Sequence, residues 1–196
     1  AVILCLSLLP GTASAAFPSK FYAALMNVSG MGTVNSYLNY TSKNTEAQQV
    51  YGMEYAGGVF FTVVGKKEDD GWRELRMYNS NLTNSRTIGD VTNQSGTVQY
   101  AIVDTAMDIS GAEPVLYGTY QALGMMGENI GYYSYICQID LTSGVTSNWK
   151  MVTGLESEKN DIIYAIAFDK DGTLYAIGAD MGDDGGPASL YTIDLD

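Results

Sequence analysis

Apolar side chains recur along this chain in short runs of about six residues, and turn residues separate the runs. One run covers residues 163–168, the turn Asp169-Lys170-Asp171-Gly172 follows it, and a second run covers residues 173–178. A third run, residues 190–195, comes after a loop rich in Gly and Asp. This pattern predicts three β-strands, and the turn is expected to place Gly172 at a positive φ.

The same order of runs occurs upstream, at residues 105–108, 115–118 and 136–142, and earlier at residues 53–55, 59–62 and 75–79. A shorter copy is expected at residues 21–24 and 37–40. The aromatic residues Tyr22, Phe61, Tyr117 and Tyr175 mark the copies at intervals of roughly 40 to 60 residues. Repeats of this length are typical of propeller blades.

The predicted fold is therefore all-β: a partial β-propeller of about three antiparallel, four-stranded blades plus a partial one. Two face-packed sheets, a β-sandwich, are the alternative. About three blades do not close a ring, so the array is expected to continue past Asp196.

The first fifteen residues have the features of an export signal. Residues 1–9 are apolar and uncharged, Pro10 and Gly11 follow, and Ala13-Ser14-Ala15 is the pattern that signal peptidase recognises. The apolar run is shorter than the about 20 residues of a transmembrane helix. We therefore expect a signal peptide at residues 1–15, a mature domain at residues 16–196, and a secreted or cell-surface location.

Several of these segments resemble a known group of proteins. The turn and strand at residues 171–176 and the strand at residues 190–195 look like the blade repeats of secreted bacterial β-propeller-like proteins, which are frequent in Bacteroidales. Residues 140–144, Asp-Leu-Thr-Ser-Gly, are similar to the turn that follows the closing strand in that group. The resemblance implies a propeller-like fold, but no particular activity, because most of these proteins have no assigned function.

Composition excludes several kinds of chemistry. Ten basic residues against 22 acidic ones give a net charge of −12, so the chain has no basic face for nucleic acid or anionic membranes. It contains no His, which argues against zinc hydrolases and against Ser–His or Cys–His nucleophiles. Cys137, flanked by apolar residues, is expected to be a small core residue. Calcium and neutral ligands such as glycans remain compatible with this composition.

Acidic loops are the candidate metal sites. A loop is expected between the second and third strands of each copy, and these loops carry acidic residues that would project to one side: Asp69, Asp70, Glu128, Asp180, Asp183 and Asp184. Calcium binds several oxygen ligands on flexible loops, and Asp180, Asp183 and Asp184 are the candidate ligands. Ordinary solvated loops are the alternative interpretation.

The candidate ligand-binding residues are Tyr132, Tyr133 and Tyr135. Tyrosine rings combine an apolar face with a polar tip, as a sugar-stacking surface requires, although packing between sheets would use them equally well. Strand alternation predicts Tyr133 and Tyr135 on one face and Tyr132 on the other.

These features predict a non-catalytic extracellular module that binds a glycan, a peptide or a surface partner. The alternative is a carbohydrate-active propeller enzyme that uses paired carboxylates. No catalytic residue is assigned, because only Glu54 among the acidic residues falls within a predicted strand.

Overall fold

A computed structural model describes residues 26–27, 33–34, 47–66, 73–80, 85–98, 100–126, 129–155, 161–180 and 188–196. Within these ranges the chain forms β-strands and turns and contains no helix. The strands are β1 (Met26–Asn27), β2 (Thr33–Val34), β3 (Ala47–Ala56), β4 (Val59–Lys66), β5 (Arg73–Asn79), β6 (Ser85–Asp90), β7 (Ile102–Asp108), β8 (Val115–Met126), β9 (Asn129–Ile139), β10 (Thr146–Met151), β11 (Asp161–Phe168), β12 (Leu174–Asp180) and β13 (Ser189–Ile193).

The strands form antiparallel sheets in which neighbours in sequence are neighbours in space. Sheet 1 contains β3 to β6, sheet 2 contains β7 to β10, and sheet 3 contains β11 to β13; β1 and β2 form a separate pair. A single parallel bridge in the described part of the chain joins Thr92, after sheet 1, to Val145, which immediately precedes β10 of sheet 2. The predicted all-β class with consecutive antiparallel sheets is thus confirmed for the described residues, in which no sheet closes on itself.

The first strand of each sheet has a register shift at a corresponding place, so the three sheets can be compared position by position. The shift immediately precedes Gly52 in β3, Asp104 in β7 and Ala165 in β11. These three residues are therefore equivalent positions, and they pair with Val63, Thr119 and Ile177 on the second strands. On the third strands, Val63 pairs with Leu75, Thr119 with Ile136, and Ile177 with Leu190.

Two apolar clusters join the sheets in series. The first lies between sheets 1 and 2 and is formed by Ala56, Phe61, Val63, Leu75, Val91, Ile102, Met107, Leu116, Cys137 and Ile139. The second lies between sheets 2 and 3 and is formed by Ala106, Ile136, Leu155, Ile163, Ile166, Leu174 and Ala176. Sheet 2 therefore has a neighbour on each face, and we call the face of each sheet that points toward the higher-numbered sheet its forward face.

Aspartates organise the turns that end the strands. Asp169 Oδ1 accepts hydrogen bonds from the N–H groups of Asp171 and Thr173, both at 2.9 Å, and Gly172 has a φ of 85°. The expected β-turn is thus confirmed, with no need for a calcium ion to explain its aspartates. Asp140 accepts hydrogen bonds from Thr142 and Ser143 in the same way, and these bonds hold its pKa below the usual value.

Cys137 lies in the first cluster and is fully buried, as expected of an apolar core residue. Burial raises the pKa of its thiol to about 12. The expected signal peptide and the expected strands at residues 21–24 and 37–40 lie outside the described residues. Where the structure is described, it contains no helix of the length and apolarity that a membrane span requires.

Candidate functional site

The first strands of the three sheets lie side by side, β3 against β7 and β7 against β11. Each is also the end strand of its sheet, so one row of its N–H and C=O groups is not used by the ladder within that sheet. Buried backbone groups of this kind need partners. Side chains from the preceding sheet supply several of them.

Two carboxylates supply the most distinctive of these contacts. Glu54, on β3, accepts hydrogen bonds from the N–H of Met107 and, at 3.4 Å, from Oγ1 of Thr105. Asp104, on β7, accepts a 2.8 Å hydrogen bond through Oδ2 from the N–H of Ile166. Glu54 thus links sheet 1 to sheet 2, and Asp104 links sheet 2 to sheet 3.

Glu54 and Asp104 form the carboxylate pair, and burial dominates their protonation. Burial raises the pKa of Glu54 to about 8; the charge of Asp104 adds to this, and the hydrogen bonds from Met107 and Thr105 oppose it. Burial also raises the pKa of Asp104 to about 6, against hydrogen bonds from the backbone of Ile166 and Thr105. Near neutral pH Glu54 is therefore mainly protonated and Asp104 mainly ionised.

Neutral and basic side chains complete the links between sheets. Arg73 Nε donates to the carbonyl oxygen of Ile102 at 3.1 Å. The backbone of Ile163 is held at both of its polar groups: its N–H donates to Ser134 Oγ at 2.8 Å, and its carbonyl accepts from Gln121 Nε2 at 3.1 Å. The polar side chains on the forward faces of sheets 1 and 2 therefore hold neighbouring sheets together, as Glu54 and Asp104 also do.

A close approach of β3 to β7 positions the carboxylate pair. A Cβ atom on Gly52 would lie 1.9 Å from Oγ1 of Thr105 and 3.0 Å from its backbone nitrogen, so only glycine fits there. This contact brings Glu54, two residues further along β3, within reach of Thr105 and Met107. Directly across from Asp104 lies Thr119, whose fully buried Oγ1 has no hydrogen-bond partner among the described residues.

The three candidate tyrosines have different environments. Tyr133 is buried, and Tyr132 is 42% exposed. Tyr135 is partly buried in an aromatic cluster with Tyr120 and Trp149, whose ring centroids lie 6.4 and 6.5 Å from its own. The predicted alternation is thus confirmed, and Tyr133 and Tyr135 serve packing rather than an open stacking surface.

Tyr132 keeps the exposure that a ligand contact needs. Its cross-strand partner is Leu123, which is also exposed. On the same face, the next pair along β8 and β9 is Gln121 and Ser134, which bond the backbone of Ile163. We call Leu123 and Tyr132 the tyrosine surface.

The calcium candidates Asp183 and Asp184 lie outside the described residues, as do Asp69, Asp70 and Glu128. Asp180 ends β12, and its side chain is not among those described. In the described part of the chain, no group of three or more acidic, Cys or His side chains is placed to hold a metal ion.

Sequence reasoning missed Asp104 and its pairing with Glu54. The expectation that Glu54 alone among the acidic residues lies within a strand is wrong, because Asp104 lies in β7 and Glu74 in β5. Asp104 is followed by Thr105 and preceded by Val103, so a strand beginning a few residues earlier would have included it. The hydrogen bond that Asp104 accepts from Ile166 joins two sheets, so no pattern in the neighbouring sequence predicts it.

Comparison with known proteins adds no assignment, since no family model matches the chain and no relative is found among curated proteins.

Proposed function

We propose that this chain is an exported, β-propeller-like module that binds a neutral extracellular ligand, a glycan or a peptide, without catalysing a reaction. The observation that carries the proposal is the tyrosine surface, in which aromatic and aliphatic side chains stay exposed beside a junction between two sheets. Aromatic rings with one free face suit sugar rings and extended peptides alike.

The propeller-like arrangement is part of this proposal. Its support is that each sheet follows the previous one in sequence and space, and that the first strands β3, β7 and β11 adjoin one another. First strands gathered around a common axis are a feature of propellers. Export to the exterior or cell surface of a bacterium is proposed from the apolar residues 1–15 and from the repeat resemblance.

The polar chemistry of the described residues favours binding over catalysis. Both members of the carboxylate pair accept hydrogen bonds from backbone N–H groups of a neighbouring sheet. A carboxylate that holds two sheets together is not free to move a proton to or from a substrate.

An array of immobilised neutral glycans and unstructured peptides tests this function, with the wild-type chain and Tyr132→Ala as the main pair. We expect binding to at least one ligand class, with affinity reduced about fivefold or more in Tyr132→Ala, since one stacked ring contributes about 1 kcal/mol or more. Tyr55→Ala is the matched control, because Tyr55 is 44% exposed on sheet 1. Equal losses in both variants, or no binding by the wild type, would count against the proposal.

A second candidate function, a carbohydrate-active enzyme, is favoured by one observation. The carboxylate pair has separated pKa values of about 8 and about 6, as an acid and a base acting together require. The unpaired hydroxyl of Thr119 beside Asp104 is a further feature of the kind found at functional sites.

Release of reducing ends from polysaccharides measures this second function. If the wild type is active and Glu54→Gln is inactive while still folded, the chain is an enzyme and the binding proposal fails. If the wild type releases no sugar from any polysaccharide that the array identifies as a ligand, the pair is structural.

A further inference from the structure

Two strands of sheet 2 extend beyond their neighbours as a two-stranded arm. Among the described residues, β7 pairs with β8 only as far as Tyr120, and β10 pairs with β9 only as far as Tyr135. Beyond this point β8 and β9 pair with each other for six further residue pairs, a length of about 20 Å. We call this part of the hairpin, residues 121–126 and 129–134, the arm.

Sheets 1 and 3 have no such arm in the described part of the chain. In sheet 1, β3 pairs with β4 as far as Lys66, the last residue of β4. In sheet 3, β11 pairs with β12 as far as Asp180, the last residue of β12. The first strand thus covers the second strand to its end in both sheets, whereas the arm of sheet 2 leaves one edge of β8 and one edge of β9 without a described neighbouring strand.

The free edge of β9 is formed by the backbone groups of Tyr132 and Ile130. The carbonyl oxygen of Ser134 accepts a 2.8 Å hydrogen bond from the N–H of Val152, on the side of β9 that faces away from β8. The direction of the N–H and C=O groups alternates along an antiparallel strand. Tyr132 and Ile130, two and four residues before Ser134, therefore present their N–H and C=O groups on that same side, where no described strand pairs with them.

The arm lacks the features that usually protect an exposed strand edge. Such edges are commonly protected by charged side chains, by Pro or by a bulge. The arm contains no charged residue and no Pro, and its ladder has no register shift. By contrast, β10 at the edge of the same sheet has a register shift beside Lys150. The edge of the arm is therefore suited to pairing with a further strand.

The two faces of the arm differ in exposure. On one face lies the tyrosine surface, with Leu123 64% exposed and Tyr132 42% exposed. On the opposite face the ring of Tyr133 lies over Gly124, and its Cδ2 atom is 3.2 Å from the position that a Cβ on this glycine would take. A strand added beside Tyr132 would thus place every second side chain on the exposed face, next to the tyrosine ring.

We propose that an extended peptide adds a strand to sheet 2 by pairing with β9 at Ile130 and Tyr132. The inference rests on the proposed function and takes a peptide, rather than a glycan, as the ligand of the tyrosine surface. Residues that face the same way along β9 are about 6.8 Å apart, and each offers one donor and one acceptor. An extended main chain repeats this order of groups, and a glycan does not.

Charge and shape define the peptide further. The net charge of −12 attracts a basic peptide and repels both an acidic peptide and a second copy of the chain. Aromatic and β-branched side chains form favourable cross-strand pairs, so Val, Ile or Thr is expected opposite Tyr132. Two residues of β9 supply at most four main-chain hydrogen bonds, so we expect weak binding, with a dissociation constant of about 10 µM to about 1 mM.

Calorimetric titration of the purified chain with peptides of about seven residues tests the proposal. The probes alternate Val or Tyr with Thr, carry Lys at each end and are blocked at both termini. The probe that binds best is compared with two N-methylated copies, one methylated at the odd positions and one at the even positions. We expect one copy to bind about tenfold more weakly and the other to bind like the unmodified peptide, because one edge of an added strand faces β9.

Ile130→Pro and Met125→Pro are a matched pair of variants. Met125 and Ile130 lie directly opposite each other, and both point their N–H groups away from the ladder between β8 and β9. Each substitution removes one outward N–H, from the edge of β9 in Ile130→Pro and from the edge of β8 in Met125→Pro. We expect Ile130→Pro to weaken peptide binding about fivefold or more, and Met125→Pro to change it less than about twofold. Circular dichroism confirms that both variants are folded.

Three results would overturn the inference. The first is a wild-type chain that binds a glycan but none of the peptides at about 1 mM, which leaves the proposed function in place with a sugar as its ligand. The second is an equal effect of the two Pro variants or of the two N-methylated peptides, which assigns binding to side chains alone. The third is a wild-type chain that dimerises in the assay while Ile130→Pro stays monomeric, which makes a second copy the occupant of the edge. If neither peptides nor glycans bind, the proposed function fails as well.

Discussion

Glu54 and Asp104 show how two partly buried side chains can make the stability of a molecule depend on pH. Their pKa values in the folded chain, about 8 and about 6, lie above the ordinary values of 4.5 and 3.8. Between the ordinary and the raised values the folded state binds more protons than the unfolded state. The stabilisation from protonation is therefore complete below about pH 4 and is lost as the pH rises to about 8.

Replacing Glu54 by Gln should remove the upper part of this pH dependence. Gln keeps an oxygen that can accept the hydrogen bond from Met107 but has no proton to lose. We expect the wild type to lose stability between about pH 6 and about pH 8, by at most about 1.4 kcal/mol per pH unit, and Glu54→Gln to have a flatter profile. Urea unfolding at a series of pH values measures both profiles.

Glu113→Gln is the control for this prediction, since Glu113 is exposed in the turn between β7 and β8. Its profile should follow the wild type. If Glu54→Gln and the wild type have the same slope, Glu54 is not held protonated between the sheets.

At the scale of the strands, the approach of β3 to β7 depends on the missing side chain of Gly52. In Gly52→Ala the new Cβ would overlap Thr105, so one of the two strands must move, and overpacking of this kind costs about 1 to 3 kcal/mol. Unfolding in urea should show this loss. Gly111→Ala, whose Cβ would meet nothing closer than 3.8 Å, should change stability by less than about 0.5 kcal/mol.

A second variant shows whether the overlap is the cause. Adding Thr105→Ala removes the hydroxyl that the new Cβ would overlap, so the double variant should recover part of the loss relative to Thr105→Ala alone. A loss in Gly52→Ala that is no greater than in Gly111→Ala would mean that β3 and β7 do not approach as closely as described.

The strands that the sequence predicts best are those with apolar residues on a buried face. Residues 163–168 and 173–178 lie in β11 and β12 nearly as expected, because hairpin turns and alternating apolar residues are local signals. The fourth strands β6 and β10 were not predicted, since Ser85–Asp90 and Thr146–Met151 are mostly polar and lie at sheet edges. Alternation also separated Tyr132 from its neighbours, but only the packed sheets show that it is the exposed one.

The carboxylate pair could not be predicted for a different reason. It depends on a register shift beside Asp104 and on a glycine in another sheet, Gly52, about 50 residues away in sequence. Contacts of this kind between sheets do not recur at a regular spacing in the sequence. Only the three-dimensional arrangement of the sheets reveals them.

At the scale of the whole molecule, the sheets form a series in which the middle one has two neighbours and sheet 3 has one among the described residues. In such an array, stability is roughly the sum of each sheet and its contacts with its neighbours. Amides of β12 and β13 should therefore exchange with solvent about tenfold or more faster than those of β8 and β9, a difference of about 1.4 kcal/mol or more in opening free energy.

Hydrogen exchange measured by mass spectrometry provides this comparison. Equal protection of the two pairs of strands would contradict it.

The pairing of β12 with β13 also determines how the molecule responds to tension. Ile193, where the chain leaves β13, pairs with Leu174 at the beginning of β12, and Ser189 pairs with Gly178 at the other end. A pull on the residues that follow β13 therefore loads the ladder one residue pair at a time, beginning at Ile193, instead of shearing all the pairs together. Peeling of this kind needs little force, so under mechanical load β13 would detach before sheets 1 and 2 unfold, and Tyr191 and Ile193 would leave the second apolar cluster.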